Sequence, residues 1–114
     1  MDNCIFCRLI SNTDRGIFLL ENSIGVAFND INPQAPTHVL VVPKQHISSA
    51  KDLGEENSNL FGDLICLCQK VTSLTGIRDQ GYRYVLNTGE HGGQTVNHIH
   101  FHVLGGRHMG WPPG

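Results

Sequence analysis

Three histidines alternate with apolar residues near the end of the chain, at positions 98, 100 and 102. Successive side chains of a β-strand point to opposite faces, so a strand here would place the three imidazoles on one face and the intervening apolar residues in the core. Folding does not require three polar rings on one face. Imidazole titrates near neutral pH, which suits nucleophilic or acid–base chemistry. A three-histidine zinc site and a solvated strand face are the alternatives.

A glycine-rich loop, residues 88–94, runs directly into the histidine segment and contains Gly89, Gly92 and Gly93. Glycines let backbone N–H groups approach an anion closely, and such turns form nests for phosphate oxygens. Gln94 and Thr95 follow and could supply further donors. The combination predicts a phosphate held against a histidine.

Four cysteines fall into two pairs. Cys4 and Cys7 form a C-x-x-C motif, for which metal binding, redox chemistry and a pair of reduced thiols all remain open. The N-terminus lacks the basic start and apolar stretch of a signal peptide, which does not favour a disulfide framework. Cys66 and Cys68 lie in a helical pattern, where we expect both to be buried as small apolar residues.

Composition describes a globular protein of 114 residues, with 39% hydrophobic residues, 16% charged residues and a net charge of −2. This length suits one domain over residues 1–114. The near-neutral charge and the lack of a basic run argue against a nucleic-acid or anionic-membrane partner. The apolar runs are far shorter than the ~20 residues of a membrane helix. Together with the missing signal peptide, these features predict a cytoplasmic protein.

Periodicity and turn residues predict seven elements. A short helix over residues 4–10, capped by Asn3, precedes a turn at 12–16. An amphipathic helix over 55–75 ends at Gly76. Strands are predicted over residues 17–21, 24–29, 38–43, 82–87 and 96–104, and the tail 105–114 is irregular. The fold class is therefore α+β, a five-stranded antiparallel sheet with one long and one short helix.

Segments along the whole chain resemble the histidine-triad (HIT) superfamily. The segment GGQTVNHIHFHVL at 92–104 is similar to the His-x-His-x-His signature of that superfamily. FNDINPQAPTH at 28–38, PKQHIS at 43–48 and WPPG at 111–114 resemble its Hint branch. The WPPG tail favours Hint over the dinucleoside-polyphosphate hydrolase branch.

The resemblance implies a homodimeric purine nucleoside phosphoramidase, which cleaves the P–N bond of purine nucleoside 5′-phosphoramidates. His100 would be the nucleophile and form a nucleotidyl-histidine, oriented by the backbone carbonyl of His98. His102 would hold phosphate oxygens, and His38 would support the proton network. A hydrolase of dinucleoside polyphosphates or other AMP-X substrates, a nucleotide-binding adaptor with incidental catalysis, and a zinc enzyme with three histidine ligands are the competing functions.

The resemblance also implies a nucleotide site. Asp30 would bind the ribose hydroxyls, four apolar side chains would hold the purine, and the loop would hold the phosphate. Asn87 would contact the 5′ side or the phosphate, and Gln94 would lie near the bridging atom. Residues 111–114 would lie near the partner's active site and shape the preference for the leaving group. The expected nucleotide-binding residues are Phe6, Leu9, Phe28, Asp30, Ile31, Asn87, Gly93, Gln94, Thr95 and Val96.

Some bacterial histidine-triad proteins carry a structural zinc on an N-terminal C-x-x-C, and this resemblance implies a second site. Its ligands would be Cys4, Cys7, His46 and His98, two thiolates and two imidazoles that complete a tetrahedral shell. Catalysis itself would need no metal. His91 and His108 have no predicted role.

Overall fold

A five-stranded antiparallel sheet and two α-helices make up the regular structure of the computed structural model, which describes residues 3–114. The sheet order is β1-β2-β3-β5-β4. This confirms the predicted α+β fold. The helices are α1 (Ile5–Ser11) and α2 (Ser58–Thr75), and the strands are β1 (Leu20–Glu21), β2 (Gly25–Asn29), β3 (Thr37–Pro43), β4 (Tyr82–Val85) and β5 (Phe101–Gly105).

The two faces of the sheet pack against different helices. Alternate residues of β3 point to opposite faces, so Val39 and Val41 join the core beneath α2, whereas Leu40 and Val42 join a second core with α1. Leu40 pairs with His102 across β3 and β5, which places the His102 side chain on the α1 face. That face carries the candidate site.

Helix α2 begins at Ser58, after a 3₁₀ turn over Glu55–Asn57, and ends at Gly76, whose φ of 77° gives a left-handed cap. Cys68 is buried on its core face, but Cys66 is exposed, so the prediction that both are buried was wrong. Residues two apart on a helix lie on nearly opposite sides. No helix within residues 3–114 is long and apolar enough to cross a bilayer.

Helix α1 is capped by Cys4 and not by Asn3 as predicted. The Cys4 Sγ accepts a hydrogen bond from the Cys7 N–H, with 3.4 Å between the nitrogen and the sulfur. Seven residues are too few for a stable helix in isolation. Its position therefore depends on tertiary contacts, including the buried ring of Phe6.

Two predicted strands begin several residues later in the structure, and the strand predicted over 82–87 ends at Val85. Of residues 17–21 only Leu20–Glu21 is a strand, because the Asp14 carboxylate caps a 3₁₀ turn at Arg15–Ile17. The strand predicted over 96–104 begins only at Phe101. The Ile99 N–H donates to the Ile47 carbonyl, 2.8 Å away. Residues 96–100 therefore lie along the segment after β3 that contains Ile47, and they do not pair with β3 itself.

Candidate active site and metal centre

His100 is buried, with 5% of its surface exposed, and its ring is held in one orientation. Its Nδ1 lies 2.8 Å from the His98 carbonyl oxygen. A carbonyl can only accept, so Nδ1 carries the proton and Nε2 carries the free lone pair. The ring of Phe6 packs edge-on against it at 5.2 Å between centroids. This is the arrangement of an oriented imidazole nucleophile.

His102 and His38 form a directed hydrogen-bond chain beside it. The Gln34 backbone N–H donates to His38 Nδ1 at 3.0 Å, so a neutral His38 carries its proton on Nε2. That N–H donates to His102 Nδ1 at 2.8 Å, which leaves the His102 Nε2–H as a free donor. The Asp30 carboxylate lies 3.4 Å from His38 Nε2. Gln34 contributes only its backbone N–H to this contact, so the residue type at position 34 could not predict it.

The imidazole rings of His38 and His102 are both held neutral. Burial, followed by the neighbouring rings of His100 and His38, lowers the pKa of His102 to about 4. Burial also lowers the pKa of His38, and the Asp30 charge opposes this shift. Near neutral pH the pair therefore offers hydrogen bonds and adds no positive charge.

Acidification is expected to destabilise the fold in part through His102. The pKa of His102 is 6.5 without the fold and about 4 within it, so between these values only the unfolded state binds the proton. The free energy of unfolding therefore falls as the pH falls, by about 2 kcal/mol for this group after allowance for its partial exposure. Urea unfolding of wild type and His102→Gln at pH 7 and pH 4.5 should show a smaller loss in the variant. An equal loss would contradict a buried, neutral His102.

The glycine-rich loop leaves two backbone donors at its end. The Gly93 N–H is bonded to Glu90 and the Gln94 N–H to Gly89, both within the loop. Within the described part of the chain, the N–H groups of Thr95 and Val96 have no protein acceptor. The Thr95 and Val96 N–H groups are therefore free to bind a phosphate oxygen.

The Gln94 side chain stabilises the glycine-rich loop through three hydrogen bonds. Its Oε1 accepts from the Gly89 N–H at 3.0 Å, and its Nε2 donates to the carbonyls of Ser48 at 2.7 Å and Val96 at 3.0 Å. A contact with the bridging atom of a substrate, which the family resemblance implies for Gln94, would break these bonds. In the structure the Gln94 side chain links the glycine-rich loop to Ser48 and Val96.

Most of the expected apolar slot comes together on the α1 face. Phe6 and Phe28 meet edge to face at 5.8 Å, and Leu9 and Val96 pack on the same core. Ile31 is fully exposed in the loop after β2 and does not join them. The Asp30 carboxylate, which accepts a hydrogen bond from the Asn32 N–H, lies between that loop and the histidines.

The second expected site is also assembled, at the N-terminus of α1. One ligand atom from each of Cys4, Cys7, His46 and His98 lies within 4.8 Å of the others. The His98 Nδ1 lies 3.4 Å from the Cys4 Sγ, 3.5 Å from the Cys7 Sγ and 3.2 Å from the His46 Nδ1. The Cys7 Sγ and His46 Nδ1 are 3.2 Å apart.

These separations fit a tetrahedral ion. Zinc–sulfur bonds of about 2.3 Å and zinc–nitrogen bonds of about 2.1 Å place two nitrogens about 3.4 Å apart and a nitrogen and a sulfur about 3.6 Å apart. The fully buried His98 donates from Nε2 to the Pro43 carbonyl at 2.8 Å, so its Nδ1 lone pair faces the thiols. Burial and the Cys4 thiol raise the pKa of Cys7, so a thiolate there needs a neighbouring cation. The four residues are therefore a candidate metal centre.

The three alternating histidines do not converge on one ion. The His98 side chain belongs to the thiol cluster, and only its carbonyl reaches His100. Asp30, His38 and His102 also lie close together, but the two imidazole nitrogens are 2.8 Å apart, a hydrogen-bond distance. His91 and His108 are exposed and lie outside both groups.

Comparison with known proteins places the chain in a family. Residues 13–109 match the HIT domain. The purine nucleoside phosphoramidase of Escherichia coli K12 is 38% identical over 109 residues, covering 96% of this chain and 92% of that protein. A HIT family hydrolase from Legionella pneumophila Philadelphia 1 has a TM-score of 0.93 at 42% identity, covering 98% of this chain and 100% of that one. A zinc-bound histidine triad family protein from Mycobacterium smegmatis has a TM-score of 0.79 at 28% identity, covering 93% and 76%. The chain therefore belongs to the HIT family and is a hydrolase of that family.

Proposed function

We propose that this HIT-domain chain is a Hint-type purine nucleoside phosphoramidase that works through a nucleotidyl-histidine on His100. The observation that carries the proposal is the fixed His100 tautomer, with Nδ1 bonded to the His98 carbonyl and Nε2 free. The name of the Escherichia coli relative supports the same reaction.

In the first half-reaction the His100 Nε2 attacks the α-phosphorus and the P–N bond breaks. The new P–N bond to His100 makes its ring cationic, and the hydrogen bond from Nδ1 to the His98 carbonyl stabilises that charge. The Thr95 and Val96 N–H groups are placed to bind the phosphoryl oxygens. The leaving nitrogen takes up a proton from solvent as the bond breaks, while the neutral His102 donates a hydrogen bond from its Nε2–H to the phosphoryl group.

In the second half-reaction water attacks the nucleotidyl-His100. The P–N bond to the ring breaks, His100 recovers its lone pair, and the attacking water releases its proton to solvent. Splitting one displacement into two lets the same imidazole serve as nucleophile and then as leaving group. The products are a nucleoside monophosphate and a free amine.

The nucleoside would bind on the α1 face, next to the reacting histidines. The Asp30 carboxylate suits the two ribose hydroxyls as an acceptor, and it retains lone pairs beyond its bond to Asn32. Phe6, Leu9 and Phe28 would contact the purine. Ile31 would have to fold over it from its exposed position, which buries apolar surface only when a base is present.

Zinc is the ion we propose for the candidate metal centre. Two thiolates and two imidazoles are a donor set that zinc prefers, and no position remains open for substrate. When bound, the ion would supply structural cross-linking only. The zinc-bound relative from Mycobacterium smegmatis supports this assignment.

We also propose that the chain acts as a homodimer. β4 is one of the two edge strands of the sheet, the other being β1, and the hydroxyl of Tyr84 on β4 is buried without a protein partner in the described residues. Leu74 on α2 is 56% exposed. A second copy covering this side would pair a strand edge that is otherwise open.

The test of the reaction class compares two substrates on the same preparation. We expect a higher kcat/KM for adenosine 5′-phosphoramidate than for diadenosine polyphosphates. Preferred cleavage of the polyphosphates would make the chain an AMP-X hydrolase. Tight nucleotide binding with no turnover of either substrate would make it an adaptor.

A further inference from the structure

Arg15 lies in the 3₁₀ turn that follows α1, and its guanidinium binds the C-terminal end of that helix. Its Nη1 donates to the Ile10 carbonyl at 2.6 Å and to the Asn12 carbonyl at 2.5 Å. The last carbonyls of a helix have no partner within the helix, so these bonds satisfy acceptors that would otherwise face water. Ile10 directly follows Leu9, which is one of the proposed purine contacts. Arg15 therefore holds the end of α1 that carries part of the proposed purine slot.

The remaining donors of Arg15 bind the carboxylate of Glu21 on β1. The two distances are 3.1 Å from Nε to Oε1 and 2.5 Å from Nη2 to Oε2, which is a bidentate pair. The Lys44 Nζ, directly after β3, lies 2.8 Å from the same Oε2. The hydrogen bonds from Arg15 and Lys44 lower the pKa of Glu21 to about 2, so this carboxylate is charged near neutral pH.

This ion-pair network differs from an isolated surface pair. A single exposed pair contributes little to stability, whereas bidentate geometry and a shared partner are the conditions under which such pairs matter. One carboxylate here links the turn after α1, the edge strand β1 and the segment after β3. The network therefore ties α1 to the sheet at the end of the helix away from Cys4 and Cys7.

A row of aromatic rings connects Arg15 with the proposed purine slot. The guanidinium carbon lies 5.1 Å from the ring centroid of Phe18, within the range of a cation–π contact. The ring of Phe18 packs on Phe28 at 6.1 Å between centroids. Phe28 in turn meets Phe6 at 5.8 Å, and Phe6 lies against His100. Arg15 thus contacts the outer side of the wall that Phe28 and Phe6 present to the purine.

We propose that Arg15 is a positioning residue that sets the spacing between α1 and β2 for a purine base. The inference rests on the proposed function, because it takes the nucleoside to bind on the α1 face. Seven residues cannot hold a helix in place without tertiary contacts. Without Arg15 the end of α1 next to Leu9 is released and the slot loosens. A purine then loses more contact area than a pyrimidine, whose single ring reaches fewer of the apolar side chains.

The experiment compares adenosine and uridine 5′-phosphoramidates that carry the same amine. The ratio of their kcat/KM values does not depend on the fraction of folded protein, because unfolding removes both activities alike. We expect Arg15→Gln to lower the adenosine-to-uridine ratio about 3- to 10-fold, mainly through a higher KM for the adenosine substrate. Glu21→Gln should lower the ratio less, since Arg15 then keeps its bonds to the two carbonyls.

Arg78→Gln is the matched control, because Arg78 is an exposed arginine after α2 that contacts neither α1 nor the proposed slot. It should leave the ratio unchanged. The dissociation constants of AMP and UMP, measured by calorimetry on the same proteins, should change in ratio as the kcat/KM values do.

An unchanged ratio in Arg15→Gln would overturn the inference, and so would a wild type that binds AMP and UMP equally. Absence of P–N cleavage with both substrates in wild type would instead refute the phosphoramidase function. The AMP-to-UMP ratio of dissociation constants would then decide the role of Arg15 by itself.

Discussion

His100→Asn is expected to lower kcat/KM for an adenosine 5′-phosphoramidate at least about 10²-fold, because no other described side chain offers an oriented nucleophile at that position. Asparagine retains a polar group of similar size, so the fold should persist. AMP binding, measured by calorimetry, should persist as well, because the proposed ribose and purine contacts are made elsewhere. The loss should therefore appear in kcat.

His91→Asn is the matched control for this variant. It makes the same exchange on an exposed loop histidine that lies in neither site, so its kcat/KM should equal that of wild type. Unchanged P–N cleavage in His100→Asn would refute the proposed mechanism. Parallel loss in both variants would point to a general effect of the loop.

Removing one proposed zinc ligand, Cys4→Ser or Cys7→Ser, is expected to lower both metal content and stability. The chain as purified without chelator should carry about one zinc ion per protomer, and each variant should carry much less. The sheet and α2 keep their own core. We therefore expect a loss of about 2–4 kcal/mol, which corresponds to a fall in Tm of about 8–17 °C.

Cys66→Ser provides the matched control, since it makes the same exchange on an exposed cysteine outside the cluster. It should change neither zinc content nor Tm. Elemental analysis by mass spectrometry and thermal unfolding followed by circular dichroism provide the two readouts. A metal-free wild type together with wild-type stability in Cys4→Ser would rule out the zinc site.

The candidate metal centre and the proposed active site share structural parts, so removal of a proposed zinc ligand should also affect turnover. His98 supplies Nδ1 to the cluster and its carbonyl to His100. Phe6 lies in the same short helix as Cys7 and packs on both histidine rings. The expected loss of activity is smaller than in His100→Asn, because the nucleophile itself remains.

Features with strong local signals were predictable from the sequence. The 3.6-residue period of its apolar residues predicted α2. Gly76 predicted where the helix ends, because the left-handed backbone of the cap favours glycine. The apolar run of β3 predicted a strand, and the family resemblance implied which cysteines and histidines form the two candidate clusters.

Other features depend on long-range contacts that no local pattern reports. The strand predicted from residue 96 starts at Phe101 because Ile99 bonds to Ile47, more than fifty residues away in sequence. Strand alternation would place the imidazoles of His98 and His100 on one face. It does not predict that the two rings contact different groups. The contact between the C-terminal tail and β4, in which Arg83 donates to the Gly110 carbonyl, is another that a sequence pattern cannot locate.

Mapping the covalent intermediate tests the central claim most directly. Wild-type protein is mixed with adenosine 5′-phosphoramidate, quenched in denaturant at mildly alkaline pH within one turnover, and digested with trypsin. Residues 84–107 form one tryptic peptide with four histidines, so fragmentation must assign the adduct among them. An AMP group that appears and decays on His100 is the predicted result. An adduct on any other residue, or turnover with no adduct at any time point, would contradict the mechanism.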